Sequence, residues 1–169
     1  FYVYVLEANL VFHNGMVLPL MSEFLDFTEG DIGNNKQDCE QRAFHRLAER
    51  IHQEFKKLPI LLLLDGLYAN GPTIEACKKY GWEFMIVLQD KSLPSVWEEF
   101  EGLQKLEVDH VFIQHWGDRR QTFRWSNDIE YDYGKKEKKT ILVHVVVCAE
   151  TWEEIDNNGQ RITKNSRHA

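Results

Sequence analysis

Long apolar runs are missing from this 169-residue chain. None approaches the roughly 20 residues that a helix needs to cross a bilayer, so no membrane partner is expected. No leader-like stretch precedes Phe1, which lies inside a strand-like pattern and is not Met. The chain is therefore expected to be part of a longer one, or to have lost its start. Cysteine is scarce: Cys39, Cys77 and Cys148 lie far apart, with no Cys-x-x-Cys pair. Nothing in that spacing points to a disulfide framework, and the histidines show no ligand spacing with the cysteines, which argues against zinc. Cys39 and Cys77 fall on apolar helix faces and Cys148 in an apolar strand, so all three are expected to be buried free thiols. Positive charge is also short. The net charge is −7, and residues 1–100 hold 9 Lys and Arg against 15 Asp and Glu, leaving 11 against 12 in the remainder. Phosphate neutralisation needs clustered cations, so bulk charge does not drive nucleic-acid binding here. Any such contact must be local. Repeats and low-complexity tracts are absent too, and the 43% hydrophobic content suits an ordinary packed core.

What is present alternates two grammars. Phe1 to Phe12 and Met16 to Leu25 read as strands joined by His13-Asn14-Gly15, because Asn-Gly tolerates the positive φ of hairpin turns. Pro19 lacks an N–H and places the second strand at a sheet edge. Thr28 to Asn35 reads as a loop, and Asn35 with Asp38 as an N-terminal cap. Cys39, Ala43, Phe44, Leu47, Ile51 and Phe55 then recur at helical spacing until Pro59 stops the helix. Ile60 to Leu64 is apolar without alternation, which predicts a parallel strand buried on both faces. A helix over Thr73 to Tyr80, a strand over Trp82 to Leu88, and a helix opened by Ser92 and Pro94 follow. From Val108 the pattern is β: Val111–Ile113, Thr122–Trp125, Ile129–Tyr133 and Thr140–Cys148, with a polar tail after Asn157-Asn158-Gly159. Residues 1–107 thus form an α/β core, and 108–169 a β-rich segment with a tail.

Asp65 is the most informative residue. A carboxylate at the carboxyl end of a buried strand sits where open α/β sheets place their ligands. Charge beside five aliphatic residues calls for compensation, and a hard divalent cation would supply it. The plainer alternative is a strand-to-loop cap, with Asp65 accepting backbone N–H groups in an Asx-turn. Periodicity alone leaves both open.

The stretches Val5-Leu6-Glu7-Ala8-Asn9-Leu10-Val11, Ser22-Glu23-Phe24-Leu25, Lys36-Gln37-Asp38-Cys39-Glu40 and Leu62-Leu63-Leu64-Asp65-Gly66-Leu67-Tyr68 resemble a family of bacterial insertion-sequence DDE transposases. The likeness runs over most of residues 1–125 and thins beyond Lys135. It implies a ribonuclease H-like mixed sheet with helices, lacking its first strand, plus a β-rich insertion. It also implies metal-dependent DNA cleavage and strand transfer, with three acidic residues holding two Mg²⁺ (or Mn²⁺) ions. Asp65 matches the second acid. The first and third are expected outside this chain, so the chain alone is expected to be inactive. Asp38 and Glu40 suit a helix start, and Glu98 and Glu99 a solvated helix face.

In the family the insertion grips the transposon end. Arg119, Arg120, Arg124, Trp116 and Trp125 are the corresponding candidates here, with Lys135, Lys136, Lys138 and Lys139 on a nearby loop and Lys91 as a further phosphate contact. Aromatic stacking beside cations suits single-stranded or distorted DNA. A core tryptophan and a solvated charged turn is the plainer reading of each residue taken singly. The implied partners are double-stranded transposon ends and target DNA, in a bacterial cytoplasm and nucleoid setting, and the sheet edges left open by the missing first strand favour self-association. Two rivals stand beside this reading: a nuclease of the same fold, and an inert remnant that binds DNA or a partner.

Overall fold

A computed structural model describes residues 3–25, 36–89, 92–134 and 137–169, with the backbone alone at 36–39. The expected loop at Thr28–Asn35, the cap at Asn35 and Asp38, the side chain of Cys39, and Lys91, Lys135 and Lys136 lie outside what is described. The chain is mixed α/β, with three helices and three separate sheets among the described residues. It divides into two compact units, residues 1–63 with 72–85, and residues 64–71 with 86–169.

The first unit opens with an antiparallel hairpin, β1 (Val5–Val11) and β2 (Val17–Phe24). Its loop follows from Gly15 at φ +82°, which lets Phe12 N–H donate to Met16 O at 2.9 Å while Asn14 Oδ1 accepts from Met16 N–H at 3.0 Å. The register skips Leu20, because Ala8 faces Met21 and Asn9 faces Pro19. An extra residue beside a proline that cannot donate is a β-bulge with a local cause.

Helix α1 (Lys36–Glu54) lies against β1 and β2. Ala43, Phe44, Leu47, Ala48 and Ile51 are buried along one stripe, as the helical spacing predicts. Each large member contributes roughly 1.5–3 kcal/mol by leaving water. A polar clamp adds direction. Glu23 on β2 accepts from Arg46 Nε at 2.6 Å through one oxygen and from an Arg50 guanidinium nitrogen at 2.8 Å through the other. The same two arginines donate to Phe24 O and Ser22 O.

Strand β3 (Leu61–Leu64) leads through a 3-10 turn to α2 (Gly71–Tyr80) and β4 (Glu83–Ile86). Ile60 O accepts from Glu83 N–H and Leu64 O from Val87 N–H, a constant offset that makes the pair parallel, as a helical crossover requires. Ile74 and Cys77 are fully buried on α2. At the end of α1, His52 stacks on Tyr80 at 4.5 Å, and Trp82 lies 5.0 Å from Tyr80.

Here the structure departs from the apolar pattern of Ile60 to Leu64. The β3 strand is not buried on both faces, since Leu61 and Leu63 are 58% and 63% exposed and Met85 beside them 56%. The reason is topological. Among the described residues β3 has only β4 as a neighbour, and no layer covers that face.

The second unit is built on an antiparallel meander, β5 (Val111–Trp116), β6 (Arg119–Tyr133), β7 (Lys139–Ile155) and β8 (Arg161–His168). Gly117, at φ +62°, opens the two-residue loop between β5 and β6. The two strands expected over 122–125 and 129–133 are one strand. Asp128 adopts φ +57° and forms a bulge, so that Ser126 and Ile129 both keep facing inward. The segment after Gly159 is likewise a strand and not a tail. Apart from Ile162 its residues are polar on both faces, so no alternation betrays it; the unpaired edge of β7 recruits it.

Helix α3 (Pro94–Leu103) packs on β6, burying Val96 and Phe100. Ser92 does not cap it. Leu93 stands at the cap position with φ +49° and no side-chain bond, and Pro94 supplies the first helical residue. Among the described residues no helix is long and apolar enough to cross a membrane.

Candidate nucleic-acid interface and the strand-end carboxylate

Asp65 ends β3 and is exposed. Its Oδ1 accepts the Leu67 N–H at 2.9 Å, and its carbonyl accepts from Tyr68 at 3.1 Å, which together hold the turn over Gly66–Tyr68. The following glycine has a steric cause. A Cβ on Gly66 would stand 2.7 Å from Gln89 Cγ and 3.0 Å from the Val87 carbonyl oxygen. Gly71 is tighter still, because an added Cβ would fall 2.1 Å from the Tyr133 ring. Burial pushes the neighbouring Tyr131 hydroxyl above its usual range, and its contact with the Gly71 backbone pulls the other way. The segment carrying Asp65 is thus seated firmly against β6.

The donor set decides what Asp65 can hold. Among the described residues no three His, Cys, Asp or Glu side chains gather as metal ligands. Asp65 offers one carboxylate, with one oxygen already used by Leu67. Mg²⁺ needs several oxygen ligands in octahedral array, so the described residues do not themselves make its site. Glu98 and Glu99 are exposed on α3.

The candidate DNA-contacting residues do not form one patch. Side chains alternate along a strand, and paired residues share a face. Arg120 and Arg124 stand on the β6 face that carries Thr122 and Ser126, the side on which α3 lies. Arg119, Trp116 and Trp125 stand on the opposite face. There Arg119 is occupied. It donates to Glu150 at 2.9 Å and lies 4.5 Å over the Trp152 ring. Trp125 is half-buried and stacks on His110 at 5.3 Å, whereas Trp116 is 68% exposed.

Glu150 is the hub of that outer face. Gln114, Gln121, Glu150 and Ser166 occupy one register line across all four strands. Gln114 donates to Gln121 at 2.7 Å, Gln121 to Glu150 at 2.6 Å, and Ser166 to Glu150 at 3.3 Å. The Gln121 bond first, and then Arg119, holds the Glu150 carboxyl below its usual range. Phe112 and Phe123, 6.2 Å apart, lie beside this line on the same face. This face carries aromatic rings beside a fixed polar row.

Two cations on the α3 side escaped the sequence reading. Lys105 just past α3 and Arg167 on β8 join Arg124 around a recess. Arg167 lay in what read as a tail, and only the β7 register carries it beside Ala149. Its guanidinium lies 5.1 Å over the Trp97 ring. No protein-family model matches this chain, and no curated protein or solved structure does either.

Proposed function

We propose that this chain is the part of an insertion-sequence DDE transposase that carries the second catalytic acid and the DNA-gripping β insertion. On this reading the core is ribonuclease H-like. Asp65 is one of three carboxylates that jointly hold Mg²⁺ or Mn²⁺, the other two lying outside residues 1–169, and the chain by itself is inert in cleavage. The observation that carries the proposal is the placement of Asp65 at the carboxyl end of parallel β3, beside β4 and before a glycine with no room for a side chain. That is where α/β sheets present ligand-binding groups. The β meander, with its exposed Trp116 and its arginines, supplies the contacts to transposon ends and target DNA.

The test is Asp65→Asn in a longer protein that includes the flanking acids. The amide keeps the shape and still accepts from Leu67, but loses the charge. Strand cleavage in Mg²⁺ is expected to fall by about 10²-fold or more, with the circular-dichroism spectrum unchanged. Near-wild-type cleavage would remove Asp65 from the chemistry.

A second reading has its own observation. Asp65 is already accounted for as the cap of a turn, and no metal-ligand group forms among the described residues. A catalytically inert DNA-binding remnant fits both facts. The same variant separates the two readings, since in a remnant no cleavage exists to lose.

A further inference from the structure

Some cations in this protein are matched by carboxylates. Arg46 and Arg50 meet Glu23, Arg119 meets Glu150, Arg161 meets Glu153, and Lys164 meets Glu154. Lys105, Arg124 and Arg167 have no carboxylate partner among the described residues, yet they share one recess of about 520 Å³. Thr122 adds a hydroxyl to its wall, and Glu101 is its one acid. In a chain of net charge −7, three unmatched cations against a single carboxylate mark a local reversal of sign.

The fold explains how they meet. Thr122, Ala149 and Arg167 lie in one register line across β6, β7 and β8, with Arg124 two residues further along β6 opposite Val147. The end of α3 closes the recess from above with Glu101 and Gln104, and Lys105 follows directly. Arg120, on the same face of β6, extends the cationic line beyond the recess. Arg167 is oriented by the Trp97 ring beneath it, so its donors are held without being consumed by an acid. Val147, which is buried, and Ala149 form the apolar part of the recess wall.

We propose that this recess binds phosphodiester groups of a single nucleic-acid strand. Guanidinium groups suit phosphate oxygens, and Lys105 adds a point charge. A cavity of this size lies in the range of small-ligand pockets. Its volume suffices for a nucleotide or two, so an open strand can seat its backbone there. The inference rests on the nucleic-acid part of the function proposed above and is independent of Asp65.

The experiment uses the 169-residue chain and a fluorescein-labelled oligo-dT strand of about 15 nucleotides, titrated at several salt concentrations by anisotropy. Lys105→Gln, Arg124→Gln and Arg167→Gln are each expected to weaken binding about fivefold at 0.1 M salt and to lower the salt slope by about 0.7. Arg167→Lys is expected to restore most of the slope, because it keeps the charge. Arg161→Gln, outside the recess, is expected to leave it unchanged. All three recess cations are solvent-exposed, so their replacement does not threaten folding. The readout is strand binding without Mg²⁺, which keeps this test separate from the cleavage test. A triple variant with an unaltered salt slope, or a wild-type chain that does not bind the strand, would overturn the proposal. So would competition by dTTP or pyrophosphate at the same concentration as the strand, which would make the recess a free-nucleotide site.

Discussion

Glu23 shows how much one side chain can organise. Its two carboxylate oxygens take two arginines of α1, so it fixes both the distance and the rotation of the helix on the hairpin. The Arg46 bond holds the carboxyl below its ordinary value of 4.5; burial opposes it, and Arg50 adds to the lowering. A group with a depressed folded value stabilises the fold fully above its unfolded value and loses that contribution as pH falls through the folded one. Thermal stability is therefore expected to fall as the solution is acidified below about 4.5, and Glu23→Gln to flatten that part of the profile. Because the arginines are half-exposed, the loss at neutral pH is expected to be only about 1 kcal/mol. An unchanged acid limb in the Glu23→Gln protein would show that the clamp carries no stability. Thiol chemistry gives another reading at this scale. Burial pushes the Cys77 thiol up to about 11, so almost no thiolate forms at neutral pH. Cys148 is half-buried, and burial first, then Glu150, raises it too. Iodoacetamide at pH 8 is expected to spare Cys77 until the fold is denatured, and mass spectrometry of the labelled peptides would check it.

Among the elements, β8 is the one whose existence depends most on its neighbour. It buries little apolar surface, and its links to β7 are backbone bonds, exposed ion pairs at 3.6 and 3.7 Å, and Ser166 on Glu150. Glu150 also ties β6 to β7 through Gln121 and Arg119. Glu150→Ala leaves Gln121 without its acceptor and Arg119 without its counter-ion. Hydrogen exchange is expected to quicken along Arg161–His168 and the facing half of β7, while the α1–hairpin amides stay as they were. Uniform quickening across both units would contradict a local role for the ladder. The same dependence matters for function, because Arg167 reaches its recess only while β8 stays paired.

At the scale of the whole molecule, the notable feature is apolar surface left open. Leu61, Leu63 and Met85 stand uncovered on the β3–β4 pair, and Val11, Val17 and Leu18 near the hairpin turn are similarly exposed. Among the described residues β1 and β3 share no hydrogen bonds, and each two-stranded sheet keeps unpaired edges. Exposed apolar faces and open edges recruit further strands. Sedimentation velocity at rising concentration is expected to show self-association, and Leu61→Lys with Leu63→Lys to suppress it. A monomer at every concentration would mean that solvent alone borders these faces.

Local signals sufficed for much of the fold. The hairpin at Asn14-Gly15, the stripe of α1, the Pro94 start of α3 and the parallel β3–β4 crossover follow from turn chemistry, helical period and topology, which act over a few residues. Asp65 at its strand end was legible for the same reason, and so was its capping alternative. Long-range pairing decided the rest. Asp128 joins two apparent strands into one, the edge of β7 turns a polar segment into β8, and β3 lacks the cover that its leucines suggested. Strand alternation also separates Arg119 from Arg120 by a whole sheet, although they are neighbours in the chain. The recess cations Lys105, Arg124 and Arg167 come from a helix end and two strands, and only the register of the sheet brings them together. Sequence order carries no record of such a meeting, because it depends on which residues face each other across strands and not on which follow one another.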